Sequence, residues 1–279
     1  MVIRELIHEI SYTLKQSGND NALFEAHLIV RKALSLSPLD IVLKSDTDVP
    51  PEKLKLIYLQ VNRRVRHEPL EYILGTQEFM GLEFSVNPSV LIPRHDTERL
   101  AEHILEHFGG KAFTALDLCT GSGCIAVSLA YFNKNAHVTG IDISPEAIET
   151  AMQNAQLQNV SDRVKFRTCD IFKSDFFGKY DLIVSNPPYI ESDVIPTLSD
   201  TVNKYEPHQA LDGGADGLDF YRHITKTAPR YLSPGGMLAF EIGYNQKESV
   251  SELMEASFRS ITALKDYGDN YRVISGILK

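Results

Sequence analysis

The segment Asn186-Pro187-Pro188-Tyr189 brings together residue types that can hold a planar nitrogen. An amide or aromatic amino nitrogen is a poor nucleophile, because its lone pair is delocalised into the neighbouring π system. The Asn186 side-chain carbonyl and the Pro187 backbone carbonyl can each accept one hydrogen from such an NH2 group. That fixes the nitrogen, favours localisation of its lone pair and aims it at an electrophilic methyl. The prolines stiffen the loop that carries these carbonyls. Tyr189 offers a flat face on which a planar group can stack. No strong base is required, since methylation makes the nitrogen acidic and its proton can leave late to water. The chemistry implied is methyl transfer to a planar nitrogen. Asn186, Pro187 and Tyr189 are the catalytic candidates, and residues 186–189 with Pro188 form the candidate substrate site.

A second constellation lies upstream. Ala115 to Gly123 reads as a strand running into a glycine turn, and glycine lets backbone approach a ligand that a Cβ would exclude. Open α/β sheets bind ligands beyond the carboxyl ends of their strands. Asp142 ends the next strand and can accept both hydroxyls of a ribose, while Asp170 ends the third and can accept from an adenine amino group. Taken alone the turn is ambiguous. Gly121-Ser122-Gly123-Cys124-Ile125-Ala126, with Asp142 about 20 residues on, also fits a nicotinamide dinucleotide site. The Asn-Pro-Pro-Tyr segment decides for S-adenosylmethionine, because hydride transfer has no use for paired carbonyl acceptors at that strand end.

The elements that must position these residues follow from periodicity. Leu6, Ile7, Ile10 and Leu14 share one helical face. A second helix is predicted from a cap at Asn19, a break and restart at Ser37-Pro38, and another helix from Pro51. Residues 1–75 therefore read as a small helical bundle. Residues 76–92 carry short β-prone runs around Gly81, a hairpin linker. A helix over 97–108 follows. Strands are predicted at 114–119, 137–143, 164–169, 181–185 and 237–242, with helices between them, which implies a parallel sheet covered by helices. Residues 261–267 and 272–278, joined at Gly268-Asp269-Asn270, read as a closing antiparallel hairpin. The predicted fold is α/β, a Rossmann-like methyltransferase domain over 93–279 with a mostly parallel seven-stranded sheet.

The net charge of −9 disfavours a large phosphate-binding surface, since neutralising phosphates takes clustered Lys and Arg. The dense basic run Arg63-Arg64-Val65-Arg66 reads as a solvated helix face. Cys119, Cys124 and Cys169 are odd in number and form no Cys-x-x-Cys pair, which suits a reducing cytoplasm. The N-terminus is charged too early for a signal peptide, and no apolar run reaches membrane-spanning length. His103-Ile104-Leu105-Glu106-His107 matches a zinc pattern literally, but no third ligand has motif support, so no metal is expected. Residues 190–217 read as a long loop without clear secondary structure that covers the site.

Taken together, the chain resembles the release-factor glutamine methyltransferases. The resemblance covers Glu68 to Gly75, Leu91-Ile92-Pro93-Arg94 with Thr97-Glu98, Asp117 to Gly123 and Asn186 to Tyr189. It continues through Tyr205-Glu206-Pro207, Ala210-Leu211, Gly213-Gly214, Asp216-Gly217-Leu218, Glu241-Ile242-Gly243 and Asp266 to Asn270. The Ile-Pro-Arg and Tyr-Gly-Asp-Asn segments separate this family from the nucleic-acid enzymes that share Asn-Pro-Pro-Tyr. The resemblance implies N5-methylation of the glutamine in the Gly-Gly-Gln loop of peptide chain release factors, with S-adenosyl-L-homocysteine as by-product. N6-adenine methylation of DNA or RNA is the alternative, since an adenine amino group suits the same two acceptors. A fold that has lost catalysis is a third, and the intact Asn186, Pro187, Tyr189 and Asp142 weigh against it. The resemblance further implies a helical substrate-recognition domain, a cytoplasmic monomer, and no direct contact with nucleic acid or membrane. Cofactor contacts carry over to Cys119, Thr120, Gly121, Ser122, Gly123, Asp142, Asp170, Ile171 and Asn186, with Arg94 and Glu98 lining the site. Two positions depart from the family pattern. Cys119 replaces a usual glycine and is expected to end its strand with ordinary backbone angles. Ile171 stands where some members have an aromatic residue, which removes an expected adenine-stacking group.

Overall fold

Apolar residues at helical spacing build the N-terminal elements of the computed structural model, which describes residues 1–173 and 178–279. Helix α1 (Ile3–Gln16) buries Ile3, Leu6, Ile7, Ile10 and Leu14. Helix α2 (Ala22–Leu34) has Asn21 rather than Asn19 at its N-cap position, without a side-chain capping bond. The Asn19 Oδ1 instead accepts from the Asn21 N–H at 2.8 Å and forms a turn ahead of the helix. Helix α3 (Pro38–Leu43) opens on a reciprocal cap between Ser37 and Asp40, and α4 (Pro51–Val65) starts on proline. Helix α5 (Leu70–Leu74) is too short to show a period and stops at Gly75, whose φ of 76° is left-handed. These helices form one unit with residues Asp200–Tyr205. The basic run is not a plain solvated face. Arg63 pairs with Glu68 at 2.5 Å, and Arg64 pairs with Glu25 at 2.6 Å with both side chains largely buried.

The second unit comprises Thr76–Ser199 and Glu206–Lys279. Strands β1 (Thr76–Phe79) and β2 (Leu82–Ser85) pair antiparallel, and Phe79 meets Phe84 edge-on at 6.0 Å inside the core. Helix α6 (His95–Phe108) follows. Then come β3 (Phe113–Leu118), α7 (Cys124–Phe132), β4 (Ala136–Asp142), α8 (Pro145–Leu157), β5 (Val164–Thr168) and β6 (Tyr180–Ser185). After these lie α9 (Asp200–Tyr205), which belongs to the first unit, then α10 (Asp219–Thr227), β7 (Leu232–Glu241), α11 (Lys247–Glu255), β8 (Phe258–Lys265) and β9 (Tyr271–Leu278). The sheet order is β5-β4-β3-β6-β7-β9-β8, parallel except around β9, so the expected α/β architecture is present with its closing hairpin. Strands β7 and β8 begin earlier than periodicity predicts. Strand β7 runs through Pro234-Gly235-Gly236, which reads as a turn in sequence, and its pairing with β6 absorbs the irregularity as a register shift.

The register explains why the chemistry-bearing residues gather. Leu118 pairs with Ile141 on one side and with Ser185 on the other. The next residue on each strand is therefore Cys119, Asp142 or Asn186, three neighbours at one sheet edge. Strand order reverses between β3 and β6, the crevice where such sheets bind ligands. The 190–217 stretch corrects the expectation of an irregular loop. It contains α9 and short 3-10 turns at Ile195–Thr197 and His208–Ala210, elements too brief to leave a period.

Candidate active site

A cavity of about 560 Å3 opens at that crevice, within the ~300–1,000 Å3 usual for small-molecule sites. Its floor is the turn between β3 and α7. The Gly123 N–H closes the turn on the Thr120 carbonyl at 2.8 Å, and Gly123 caps α7 with φ 77°. A Cβ there would meet Ala151 and Phe166 at 3.0 Å, so glycine is required by both angle and space. Beneath the turn, the Thr120 hydroxyl donates to the buried Asp117 carboxylate at 2.6 Å. Burial pushes the Asp117 carboxyl up to about 7 against the opposing Thr120 bond.

Cys119 corrects the sequence expectation. Its φ is 59°, in the left-handed region, so the strand does not end there with ordinary angles. The family glycine at this position has a conformational reason, and Cys119 holds the same turn at a cost of roughly 1–2 kcal/mol. Its side chain lines the cavity, as does Cys169, and burial holds the Cys119 thiol well above the usual range.

Asp142 accepts the Gly121 N–H at 2.9 Å and the Ser144 N–H at 3.0 Å, one on each carboxylate oxygen. Burial raises its pKa, and those backbone bonds oppose the rise. Asp170 lines the cavity two residues beyond β5. One of its oxygens accepts the Phe172 N–H at 2.9 Å and the other pairs with Lys173 at 2.8 Å, so the Lys173 bond draws its pKa down. Ile171 is buried in the cavity wall. The aromatic contribution missing at Ile171 comes from elsewhere. Phe172 and Phe220 both line the cavity, their rings edge-to-face at 5.0 Å. The tight turn made by Asp170 brings Phe172 round, one position after the place where sequence comparison sought it.

At the other end of the cavity, Asn186 and Pro188 form part of the wall. The Asn186 Nδ2 donates to the Thr97 hydroxyl at 3.3 Å, so its Oδ1 is the atom left over. Among the described residues, no N–H or O–H reaches the Asn186 Oδ1 or the Pro187 carbonyl. Tyr189 is not in the cavity wall. Its ring packs on the core cluster of Tyr221, Phe240 and Ile242, and its phenol faces Glu241 and Arg272. Pro188, not Tyr189, lines the cavity. The Tyr189 carbonyl is pinned from behind by the Gln246 side-chain amide at 3.0 Å. Gly217, with φ 69°, comes so close that an added Cβ would lie 2.4 Å from that carbonyl oxygen.

Arg94 lines the cavity and donates to Glu206 at 2.5 Å. Glu98 does not line it. Its carboxylate instead accepts the Met80 N–H at 2.9 Å and ties α6 to the β1–β2 hairpin. Gly123 and Pro187 are likewise absent from the cavity lining. Sequence reasoning missed Thr97, Phe172, Phe220 and Gln246 as individuals. Only Thr97 lay inside a recognised motif. His103 Nε2 lies 2.9 Å from the Ser275 hydroxyl. Among the described residues no group of three or more ligand-type side chains converges.

A methyltransferase-domain family model matches residues 110–272, and a model described as the PrmC N-terminal domain matches residues 5–75. A release factor glutamine methyltransferase of Geobacter sulfurreducens is 45% identical over 248 residues, covering 89% of this chain and 86% of that protein. The chain belongs to the release factor glutamine methyltransferase family. The Clostridium botulinum member is 40% identical over 278 residues, 98% of either chain. Among solved structures, a methyltransferase from Pyrococcus furiosus superposes with a TM-score of 0.52 at 22% identity, over 71% of this chain and 89% of that one. That likeness concerns the fold alone. No helix among the described residues is long and apolar enough to cross a membrane.

Proposed function

We propose that this methyltransferase transfers a methyl group from S-adenosylmethionine to the side-chain amide nitrogen of the glutamine in the Gly-Gly-Gln loop of peptide chain release factors. The observation that carries this reading is the unengaged Oδ1 of Asn186 in the cavity wall, with the unengaged Pro187 carbonyl on the adjoining residue. Two acceptors match the two hydrogens of a carboxamide NH2. The other end fits an adenosyl group. Space is open at Gly121, Asp142 keeps lone pairs beyond its two backbone bonds, and Phe172, Ile171 and Phe220 supply an apolar wall. When bound, S-adenosylmethionine supplies an electrophilic methyl on a sulfonium.

This chain's residues do the rest by placement. Asn186 and Pro187 orient the substrate nitrogen and draw its hydrogens out of the amide plane, which restores lone-pair density for attack. Pro188 bounds the planar group, and the cavity wall limits water at the reacting atoms. Asp142 would hold the ribose, Asp170 with Ile171 would border the adenine, and Cys119 through Ser122, with Gly123 closing their turn, would receive the rest of the donor. Arg94 stands at the rim. Residues 1–75 grip the release factor. The reading includes action as a monomer in the cytoplasm without direct nucleic-acid contact, which the free Cys119, Cys124 and Cys169 suit.

The test supplies labelled S-adenosylmethionine with either a bacterial release factor, its Gln→Ala variant, or an oligonucleotide. Label on the release factor alone is the expected result. Label on nucleic acid, or label that survives Gln→Ala, overturns the assignment. Asn186→Ala should abolish transfer while S-adenosylhomocysteine still binds.

A further inference from the structure

An asparagine amide can present either its oxygen or its nitrogen to a ligand, and only the oxygen can accept a hydrogen from a substrate NH2. Something must therefore choose the orientation of Asn186. Thr97, near the start of α6, is buried to 2% exposure, lines the cavity and takes the Asn186 Nδ2–H on its hydroxyl oxygen at 3.3 Å. A hydroxyl that accepts this bond still has a proton to give. Glu241, at the end of β7, lies beside Thr97, is itself 2% exposed, and its Oε2 is buried without a hydrogen-bond partner.

We propose that Thr97, backed by the buried Glu241 carboxylate, is a positioning residue that fixes the Asn186 amide with its oxygen toward the substrate. The Glu241 carboxylate accepts from the Thr97 hydroxyl, the hydroxyl oxygen accepts from Asn186 Nδ2, and Asn186 Oδ1 is left for the substrate. The direction of each bond follows from the one behind it. Reversing the amide would bring Oδ1 against an oxygen whose proton is already committed to a carboxylate.

The surroundings set when the carboxylate is charged. Burial pushes Glu241 up to about 7, and the Thr97 hydroxyl opposes the rise. Arg272 from β9 and Arg94 ahead of α6 favour the charged form, while Asp96 of α6 disfavours it. Tyr189, Tyr221 and Cys124 also face it, from the Asn-Pro-Pro-Tyr loop, α10 and α7. Arg272 is in turn held by Asp266 at 3.1 Å. Protonated Glu241 keeps an acceptor oxygen but gains an O–H that competes to donate to Thr97 and weakens the charge-assisted bond that fixes the hydroxyl's direction, so the methylation rate should rise through about pH 7.

The proposal rests on the assignment of Asn186 as the substrate-facing acceptor, and the experiment separates the two. Single-turnover methylation of a release factor is measured for Thr97→Val, Thr97→Ser, Glu241→Gln and Asn186→Ala, with S-adenosylhomocysteine affinity and melting temperature as controls. Thr97→Val keeps shape and loses the acceptor. Its rate at saturating substrates should fall about tenfold or more with donor affinity unchanged. Thr97→Ser should recover most of the rate. Glu241→Gln keeps an acceptor that does not titrate, so the rise through pH 7 should flatten. A wild-type rate in Thr97→Val, no recovery with Ser, or an unchanged pH profile in Glu241→Gln overturns the relay. Full activity in Asn186→Ala overturns the underlying site assignment instead.

Discussion

Replacing Asp142 by Asn tests the cofactor end of the cavity at a single side chain. The carboxylate spends one lone pair of each oxygen on the backbone, at 2.9 Å to Gly121 and 3.0 Å to Ser144. The remaining lone pairs are what a vicinal diol can use. Hydrogen bonds to a charged group contribute about 1.5–3 kcal/mol each and neutral ones about 0.5–1.5. Asn keeps the shape and one acceptor but removes the charge, so each ribose bond loses about 1–1.5 kcal/mol. For the pair this is about 2–3 kcal/mol, or roughly 30- to 150-fold in Kd. The assay is calorimetric titration with S-adenosylhomocysteine, which binds without turning over. The rate at saturating donor should change little, because the substrate nitrogen is held at the other end. Asp142→Ala should weaken binding further, since it also orphans the Gly121 and Ser144 N–H groups. A Kd for Asp142→Asn close to wild type would refute the assignment of Asp142 to the ribose.

Gly217→Ala forces a side chain into φ 69° and toward the Tyr189 carbonyl, so it should cost at least about 1–2 kcal/mol in denaturant unfolding and lower the methylation rate. Wild-type values would mean the backbone contact is dispensable. Asp117→Asn should reduce the pH dependence of stability. The folded-state pKa of Asp117, about 7, lies well above the ordinary aspartate value near 3.8. Its favourable contribution is thus complete below about pH 4 and is lost as pH rises through 7. Urea unfolding at pH 5 and pH 8 should show a smaller fall for the variant than for wild type, and an equal fall would count against a protonated buried Asp117. Tyr189→Phe should methylate at nearly the wild-type rate, because the phenol does not line the cavity. A loss of about tenfold or more, ~1.4 kcal/mol of barrier, would return that phenol to the chemistry.

The mostly parallel sheet and the carboxyl ends of β4 and β6 were legible because a buried parallel strand leaves an apolar run and an adjacent turn in the sequence. Asp142 and Asn186 could be placed at strand ends for that reason, and the register brings them beside Cys119. What sequence could not show was direction. Tyr189 is adjacent to Pro188 and shares its motif, yet it faces the core while Pro188 faces the cavity. Glu98 sits one residue from Thr97, and helical geometry sends the two to opposite duties, the hairpin and the Asn186 amide. Cys119 departed from expectation because a backbone angle leaves no trace in residue type once the permissive glycine has been replaced. Phe220 was illegible for a different reason. It reaches the cavity from α10, and no local pattern marks a contact made across the fold.

The Asn-Pro-Pro-Tyr loop can therefore be understood as having a front and a back. The front consists of the Asn186 Oδ1 in the cavity wall and the adjoining Pro187 carbonyl, both without partners among the described residues. Unpaired acceptors at a cavity surface are useful only if they stay where they are, and a four-residue loop has little rigidity of its own. The back supplies it. Thr97 takes the Asn186 amide nitrogen, Gln246 takes the Tyr189 carbonyl, and Gly217 closes against the same peptide. The Gln246 amide nitrogen also reaches the Gly217 carbonyl at 3.3 Å, so both segments are pinned by one side chain. The motifs far from Asn186 in sequence thus converge on it from behind. Asp266 receives Gly268 and Asn270 N–H groups and holds Arg272, which faces the Glu241 carboxylate beneath Thr97. Preorganisation of this kind lowers the barrier because the acceptors need no rearrangement when the substrate nitrogen changes its bonding. It follows that substitutions in the back layer should reduce the rate at saturating substrates more than they weaken the binding of either one.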